Sequence, residues 1–295
     1  SYFSGEIYQT LPEETRKFLV RSALFDELDT KVLAAFFRDT DPCDLLNRLE
    51  KRNLFIQKIV SHPQWPVFKY NNLFRDFLRA DLLSSVDEDS LRALNRKAGQ
   101  IFWDDKAHEK AVPFFMAACD YDQVAQIIRI RGAGDLIRGK ADRLSEWISA
   151  LPKDMVQDDP WLVFFATAAR RITGGNRNIK AFSQALDTFE TQKETRGMLL
   201  CTAYLIEASV FIRQPSQVIL KWIGKGEKLL DRLKGQHRFT WARTLLWQQI
   251  GLGYIAGNGD IPKGISACRN AMLLARGIEN RDLQLNASVI LTLGF

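Results

Sequence analysis

The sequence is poor in the residues that build metal centres, disulfide frameworks and membrane spans. Its 295 residues include four cysteines and three histidines. No two cysteines have CxxC spacing, which argues against a local zinc site and gives no hint of a disulfide scaffold. His62, His108 and His237 share no HExxH-type spacing. No apolar run approaches the ~18 residues of a membrane helix, and no secretory signal opens the chain. We therefore expect a cytoplasmic protein without a bound metal.

Length and charge bound the domain organisation. A chain of 295 residues predicts two domains, or one domain followed by a repeat array. Hydrophobic residues make up 46% and charged residues 26% of the sequence, which is an ordinary globular composition. Residues 1–150 contain 22 Lys and Arg against 23 Asp and Glu, whereas residues 151–295 contain 19 against 12. The excess basic charge therefore lies in the second half.

The first 85 residues combine helical and strand-like patterns in an order typical of a winged-helix domain. Asp41 precedes Pro42 as an expected helix N-cap. Two β-rich stretches, residues 53–60 and 65–70, flank a turn and predict a hairpin, in which Pro66 must lie on an edge or at a strand start. Four helices are predicted in this segment. The first begins at Leu11, and the others span Thr30–Phe37, Pro42–Lys51 and Asn72–Leu83.

From Asp89 onward the sequence predicts helices alone. Alternate helices begin near residues 160, 196, 240 and 282; a period of roughly 40 residues with two helices each is the mark of an α-solenoid. One repeat has the tetratricopeptide pattern, although its turn at residues 257–259 is one residue longer than usual. The pattern comprises Trp247, Ile250, Gly251 and Tyr254 on the first helix, and Gly264, Ile265, Cys268 and Ala271 on the second.

These patterns predict a mostly α protein with three segments. We expect a winged-helix domain at residues 1–85, a connecting helical region at residues 86–159, and a tetratricopeptide-like superhelix at residues 160–295. The segment Gly134–Lys140 matches the phosphate-loop pattern G-x-x-x-x-G-K. Ala141 stands where the magnesium-binding Ser or Thr would be, and no parallel-sheet pattern surrounds the segment. We interpret it as a helix–helix connection.

Basic residues supply the candidate binding surfaces. Lys221, Lys225, Lys228 and Arg232 fall at i, i+4, i+7 and i+11 of a predicted helix, which makes them either a solvated outer face or a site for an anion or acidic partner.

A second basic set lies at the ends of the first helices of successive repeats. Cations suit helix C-termini for dipole reasons alone, but first helices also line the concave surface where solenoids bind ligands. The candidate ligand or partner surface comprises Arg170, Arg171, Arg213 and Gln248.

Several motifs in order resemble a known family, the signal-transducing ATPases with numerous domains, and among them the maltose-regulon-activator (LuxR-type) group. The densest motif runs from Phe68 to Arg79. The remaining matches include Leu11-Pro12, Leu46, Leu49, residues 53–56, Trp65, Ala98, Phe102, residues 109–112, Trp147, Leu151-Pro152 and residues 160–162.

The resemblance implies a part of a larger protein. Family members have an ATPase domain first, then a winged helix, a helical superhelix as sensor, and usually a C-terminal DNA-binding helix-turn-helix. This chain resembles only the middle. ATP or ADP with magnesium is therefore expected only in an ATPase domain outside this chain, and DNA contact only through a further C-terminal domain.

One position departs from the family pattern. The family usually has histidine where this chain has Asn71, and related switch proteins use a histidine there to contact the β-phosphate of ADP. Asparagine offers only a neutral donor in place of a charge-assisted one. The resemblance therefore implies that Asn71 faces the nucleotide site of the ATPase domain and weakens or abolishes an ADP lock.

The favoured hypothesis is a non-catalytic sensor region that binds an inducer, of anionic type, or a regulatory protein. The alternative is a DNA-binding winged-helix transcription factor; its predicted third helix offers Arg48, Lys51 and Arg52, but residues 1–150 have no excess basic charge. An enzyme is the third hypothesis, and no cluster of catalytic groups or G-x-S-x-G elbow supports it.

Overall fold

The computed structural model describes residues 8–52, 55–172 and 178–276. The chain divides into two compact units, Ser1–Val124 and Ala125–Phe295. The fold is mostly helical, as predicted, and a winged-helix arrangement of helices and a small sheet occupies the first unit. No helix within the described ranges is both long and apolar enough to cross a membrane. The boundaries expected at residues 85 and 159 stay predictions.

The first unit contains six helices and three strands among its described residues. The helices are α1 (Glu13–Ser22), α2 (Thr30–Phe36), α3 (Pro42–Lys51), α4 (Asn72–Ser85), α5 (Glu88–Asp104) and α6 (His108–Ala117). The strands are β1 (Leu28–Asp29), β2 (Ile56–Val60) and β3 (Val67–Tyr70).

Polar side chains fix where the helices of this unit begin. The Asp41 carboxylate accepts hydrogen bonds from the N–H groups of Cys43 at 2.9 Å and Asp44 at 3.1 Å. The predicted N-cap of α3 is therefore confirmed, and it satisfies N–H groups that have no partner inside the helix. Asp29, Asn71 and Asp87 cap α2, α4 and α5 in the same way.

The sheet is antiparallel, with β3 in the centre and β1 and β2 on its two sides. The predicted hairpin is confirmed as the β2–β3 pair. Pro66 immediately precedes β3, and its carbonyl accepts the N–H and the hydroxyl of Thr30, in keeping with a proline at a strand start. Sequence reasoning missed β1, because two residues are too short for an alternating pattern.

A single aromatic-rich core holds the sheet against the helices of this unit. Phe68 of the central strand has no exposed surface. Tyr70, on the same strand, shares a buried 2.7 Å hydrogen bond with the Ser22 hydroxyl of α1. Burial of its phenol raises the pKa of Tyr70. Phe25 stacks edge-on against Phe36, with ring centroids 5.2 Å apart.

The remaining described helices follow in sequence. They are α7 (Tyr121–Ile137), which contains the division between the units, α8 (Ala141–Ser149), α9 (Lys153–Asp158), α10 (Pro160–Ile172), α11 (Ile179–Thr191), α12 (Thr195–Phe211), α13 (Ser216–Asp231), α14 (Thr240–Leu252) and α15 (Ile261–Arg276). Residues Gly134–Lys140 form the end of α7 and the following turn. The phosphate-loop match is therefore a helix–helix connection, as interpreted.

Three of the four expected repeat starts agree with the helix starts at Pro160, Thr195 and Thr240. The fourth, near residue 282, lies outside the described residues. A π-helical segment, Gly253–Asn258, follows α14 and ends at Gly259, whose φ is 74°. Because a π-helix accommodates an additional residue per turn, it accounts for the longer turn seen in the sequence.

Small residues bring α14 and α15 close together, as the tetratricopeptide pattern requires. A Cβ atom added at Gly251 would lie 2.4 Å from the sulfur of Cys268, and one added at Gly264 would lie 2.4 Å from Ile255. Neither position can hold a side chain unless Cys268 or Ile255 shifts. These contacts give the sequence pattern its physical basis.

Candidate functional site

Asn71 lies at the corner between β3 and α4. Its side-chain Oδ1 accepts a hydrogen bond from the N–H of Leu73 at 3.0 Å, and its backbone N–H donates to the carbonyl of Phe55 at 2.7 Å. Asparagine is among the strongest N-cap residues. The cap therefore gives a local structural reason for asparagine at the position where the resembled family usually has histidine.

A cleft of about 420 Å³ lies beside this corner. One lysine and three amide side chains contribute to its wall, and these offer hydrogen-bond donors to a neutral or anionic group. Leu73, in the first turn of α4, is 72% exposed. The lining residues are Phe55, Ile56, Gln57, Lys69, Tyr70, Asn71 and Asn72.

Arg171 lies at the end of α10 and pairs with Glu207 of α12. Their side chains are only 18% and 12% exposed. The Arg171 guanidinium also lies over the ring of Tyr204, 4.9 Å from its centroid. Burial of the phenol raises the pKa of Tyr204 to about 12. Arg171 is thus held by a carboxylate of its own chain, so its charge is already largely balanced.

The other three candidate residues occupy different environments. Arg170 is exposed on the last turn of α10. Arg213 is also exposed, immediately after α12, and adopts the left-handed conformation with φ 56°. Its N–H donates to the carbonyl of Val210 at 3.0 Å, which closes the helix end. Gln248 is 1% exposed within α14, so it lies inside the helix layer and presents no surface to solvent.

Sequence reasoning missed Tyr204 and Glu207. A signal for Glu207 was present, because it is the only charged residue between Met198 and Ile212. A single carboxylate in an apolar helix requires a partner or loses its charge. Tyr204 gave no comparable signal, since its role depends on Phe164 and Phe182, whose rings lie 5.4 and 5.3 Å from its own.

The predicted basic stripe on α13 is only partly neutralised. Lys225 pairs with Glu190 of α11 at 2.8 Å. Lys221 and Lys225 both lie near the ring of Trp222, at 5.5 and 5.8 Å from its centroid. Lys228 and Arg232 are exposed. The stripe therefore faces solvent, as both interpretations of the sequence require.

His62, Cys201 and Cys268 have structural roles. His62 accepts hydrogen bonds from the N–H groups of Gln64 and Trp65 and so closes the hairpin turn. Burial raises the pKa of Cys268 to about 11 and also raises that of Cys201, which makes both thiols unreactive. Within the described ranges, no group of three His, Cys, Asp or Glu residues is placed to hold a metal ion.

Comparison with known proteins finds a matching family model and a similar solved structure. The family profile of the MalT winged helix domain matches residues 4–90. A solved structure, the signal transduction ATPase with numerous domains (STAND) protein with a tetratricopeptide repeat sensor from Pyrococcus horikoshii, aligns over 98% of this chain and 48% of its own, with a TM-score of 0.56 and 16% identity. Residues 4–90 thus match a MalT-type winged helix, and the fold of the chain resembles that of about half of this solved structure.

Curated relatives narrow the class further. The HTH-type transcriptional regulator MalT of Vibrio campbellii is 26% identical over 161 residues, which cover 55% of this chain and 18% of the relative. MalT of Vibrio parahaemolyticus is 22% identical over 213 residues, 72% of this chain and 23% of the relative. The chain is therefore MalT-like, and it spans about a fifth of the length of these regulators.

Proposed function

We propose that this chain is the winged-helix and sensor region of a signal-transducing ATPase that regulates transcription, and that its helical repeats bind the signal. The observation that carries the proposal is the order of parts: a MalT-type winged helix at residues 4–90 precedes helices with tetratricopeptide packing at Gly251 and Gly264. The structural neighbour is described as having a tetratricopeptide repeat sensor. The chain itself performs no chemistry in this proposal.

The signal is an anionic inducer or an acidic partner protein. Residues 160–295 contain 18 Lys and Arg against 9 Asp and Glu, which favours a ligand of negative charge. Arg170 and Arg213 are the exposed cations of the candidate surface. Arg171 is paired with Glu207, so it holds two helices together and does not offer an unbalanced charge to the ligand. The signal must bind the active state of the full-length protein more tightly than the resting state, since only differential affinity shifts an equilibrium.

A thermal-shift screen of this chain against anionic metabolites tests the sensor proposal. A ligand at 100 times its Kd adds about 2.7 kcal/mol of stability, which raises the Tm of a chain this long by several degrees. The Arg170→Gln/Arg213→Gln double variant is expected to lose that shift. The matched control is Arg269→Gln/Arg276→Gln, which removes the same charge from exposed positions. Equal loss in both variants would contradict a site at Arg170 and Arg213.

If no metabolite shifts the Tm, the signal should be an acidic partner protein. Titrating the chain with acidic proteins of the same cell tests this alternative. The same two double variants serve as probe and control. If no ligand and no protein bind the repeats, the sensor proposal fails.

Asn71 is the proposed contact of the winged helix with the ATPase domain of the full-length protein. Its exposed position beside the cleft suits such a contact, and asparagine provides a weaker phosphate donor than protonated histidine. In the full-length protein, Asn71→His is expected to tighten ADP binding, while Asn72→His, next to it, leaves binding unchanged. Equal ADP affinity in all three proteins would contradict this role.

We do not propose that the winged helix itself binds DNA. Arg48, one of the three cations at the C-terminal end of α3, pairs with Asp44 at 3.0 Å. The first 150 residues have more acidic than basic side chains, and phosphate neutralisation supplies most DNA affinity.

A further inference from the structure

The exposed face of α13 is mostly basic; four apolar residues of this helix are buried in the protein, and Leu220 is 38% exposed. Ile219, Ile223, Leu229 and Leu230 are buried. Lys221 and Lys228 lie on the opposite face, and Arg232 is the C-cap residue that follows α13. All three are exposed, and they are called the α13 stripe below. At a rise of 1.5 Å per residue, the stripe extends about 16 Å along the helix axis.

Two carboxylates near α13 already have partners of their own, and one of these partners, Lys225, lies on the basic face itself. Glu190 pairs with Lys225 at 2.8 Å. Glu227 accepts a 2.9 Å hydrogen bond from the hydroxyl of Tyr254. Asp231 remains as the exposed carboxylate of α13. In the part of the chain that the structure describes, no carboxylate lies within ion-pair distance of Lys221, Lys228 or Arg232, so the stripe has an excess of positive charge.

Gly224 adds a second, independent observation on the same face. Lys221 precedes it by three residues and Lys228 follows it by four, so the three lie on adjacent turns. Glycine is a poor helix former, and the other described glycines have a structural reason: a positive φ or an atom within 4 Å of an added Cβ. Gly224 has neither. Because Gly224 has no side chain, a ligand can approach the helix backbone closely between Lys221 and Lys228.

We propose that the α13 stripe and Gly224 bind the phosphodiester backbone of a nucleic acid without reading its sequence. Protein interfaces have an apolar core and are depleted in lysine, whereas this surface has two lysines, one arginine and a glycine, with Leu220 as its one exposed apolar side chain and Asp231 as its one exposed carboxylate. A duplex presents one negative charge per about 1.7 Å of its axis. Several phosphates therefore lie within reach of the 16 Å stripe wherever along its length the duplex binds. This contact is separate from the expected C-terminal DNA-binding domain and independent of the inducer.

Salt-dependent binding of the 295-residue chain to short fluorescent duplexes of random-sequence DNA and of RNA tests the proposal. Each phosphate contact adds about 0.9 to the slope with which log affinity falls against log salt concentration. If the stripe makes three such contacts, the affinity should fall about 40-fold between 50 and 200 mM salt. The triple variant Lys221→Gln/Lys228→Gln/Arg232→Gln should lose a slope of about 2.7. A preference for one duplex identifies which nucleic acid supplies the phosphates.

The matched control is Lys153→Gln/Lys180→Gln/Arg269→Gln. It also removes two lysines and one arginine from exposed positions, so it changes net charge equally and should keep nearly the whole slope. Equal losses in the two triple variants would overturn the proposal, because the effect would then be one of net charge. Equal competition by polyglutamate would also overturn it, since any acidic polymer, including an acidic protein, would then suffice.

Gly224→Gln separates binding from folding. Its side chain enters open space and replaces a poor helix former with a good one, so the Tm should stay equal or rise. Binding to the duplex should nevertheless weaken several-fold, because the new side chain occupies the gap between Lys221 and Lys228. Unchanged duplex affinity in this variant would remove Gly224 from the site and contradict close backbone approach.

Discussion

The two units differ in what they bury. The buried polar residues of the first unit are the neutral Ser22, Thr30 and Asn95, whereas the second unit also buries the carboxylates Asp135 and Glu207. In the described part of the chain, fully or nearly buried acidic side chains thus occur only beyond residue 124. The remaining buried polar residues of the second unit are Thr167, Thr202, Ser209, Thr244 and Gln248.

The difference follows from the two architectures. In the first unit, helix-capping side chains such as Asp41 and Asp87 lie exposed at helix ends. In the second unit, helices pack on several sides of α12, and all of its residues from Leu199 to Ser209 are buried. A polar side chain there cannot reach water and must find a partner in the protein. A carboxylate buried in such a stack therefore needs a cation beside it, as Glu207 has in Arg171.

The largest expected effect is on that ion pair. Glu207→Ala leaves the Arg171 guanidinium buried without its carboxylate, and breaking a buried pair in this way costs about 3–5 kcal/mol. Urea unfolding measures the loss of stability. Arg171→Met/Glu207→Leu, which removes both charges, should recover most of it. In the first unit, Lys17→Ala breaks the exposed pair with Glu13 and should change stability little. Similar costs for the two single variants would contradict the contrast between the units.

Two glycines of the second unit should respond in opposite directions to alanine. Gly251→Ala places a methyl group 2.4 Å from the sulfur of Cys268, and such overpacking costs about 1–3 kcal/mol. Gly224→Ala meets no atom within 4 Å and should stabilise the protein by up to about 1 kcal/mol. Thermal unfolding of both variants checks the signs. A neutral Gly251→Ala would show that α14 and α15 tolerate a wider separation.

The caps of the first unit should have a smaller effect. Asp41→Ala removes the acceptor for two N–H groups of α3, which costs about 1 kcal/mol. Asp41→Ser keeps an oxygen that can cap the helix and should retain most of the stability. Chemical unfolding with both variants measures the difference. If serine is as costly as alanine, the contribution of Asp41 lies in its charge rather than in the cap.

The last expected effect appears only at alkaline pH. Burial raises the pKa of Tyr204 to about 12 from its ordinary value near 10. The neutral phenol is therefore favoured in the folded protein, so its contribution to stability is complete below about pH 10 and lost as pH rises towards 12. Unfolding measured across this window should show a steeper loss of stability for the native chain than for Tyr204→Phe. Identical pH profiles would indicate that Tyr204 is exposed to water.

Local elements were predictable because their causes are local. Asp41 and Pro42 predicted the start of α3, and the turn between two β-rich stretches predicted the β2–β3 hairpin. Strand β1 was not predictable, since it exists only through its pairing with residues 67 and 68 of β3. The same holds at the candidate site: Arg170, Arg171 and Arg213 were found as cations at helix ends, but the burial of Gln248 and the pairing of Arg171 depend on how separate helices pack.

The sequence by itself determined the winged-helix pattern, the repeat period and the uneven charge of the two halves, because caps, hydrophobic spacing and composition act within one element or its neighbours. Only the tertiary structure decided which charges are balanced. Arg171 meets Glu207 across 36 residues of chain, and Lys225 meets Glu190 across two helices, while Lys221, Lys228 and Arg232 remain exposed. Partners far apart in sequence are chosen by helix packing, and that choice separates a structural cation from one available to a ligand.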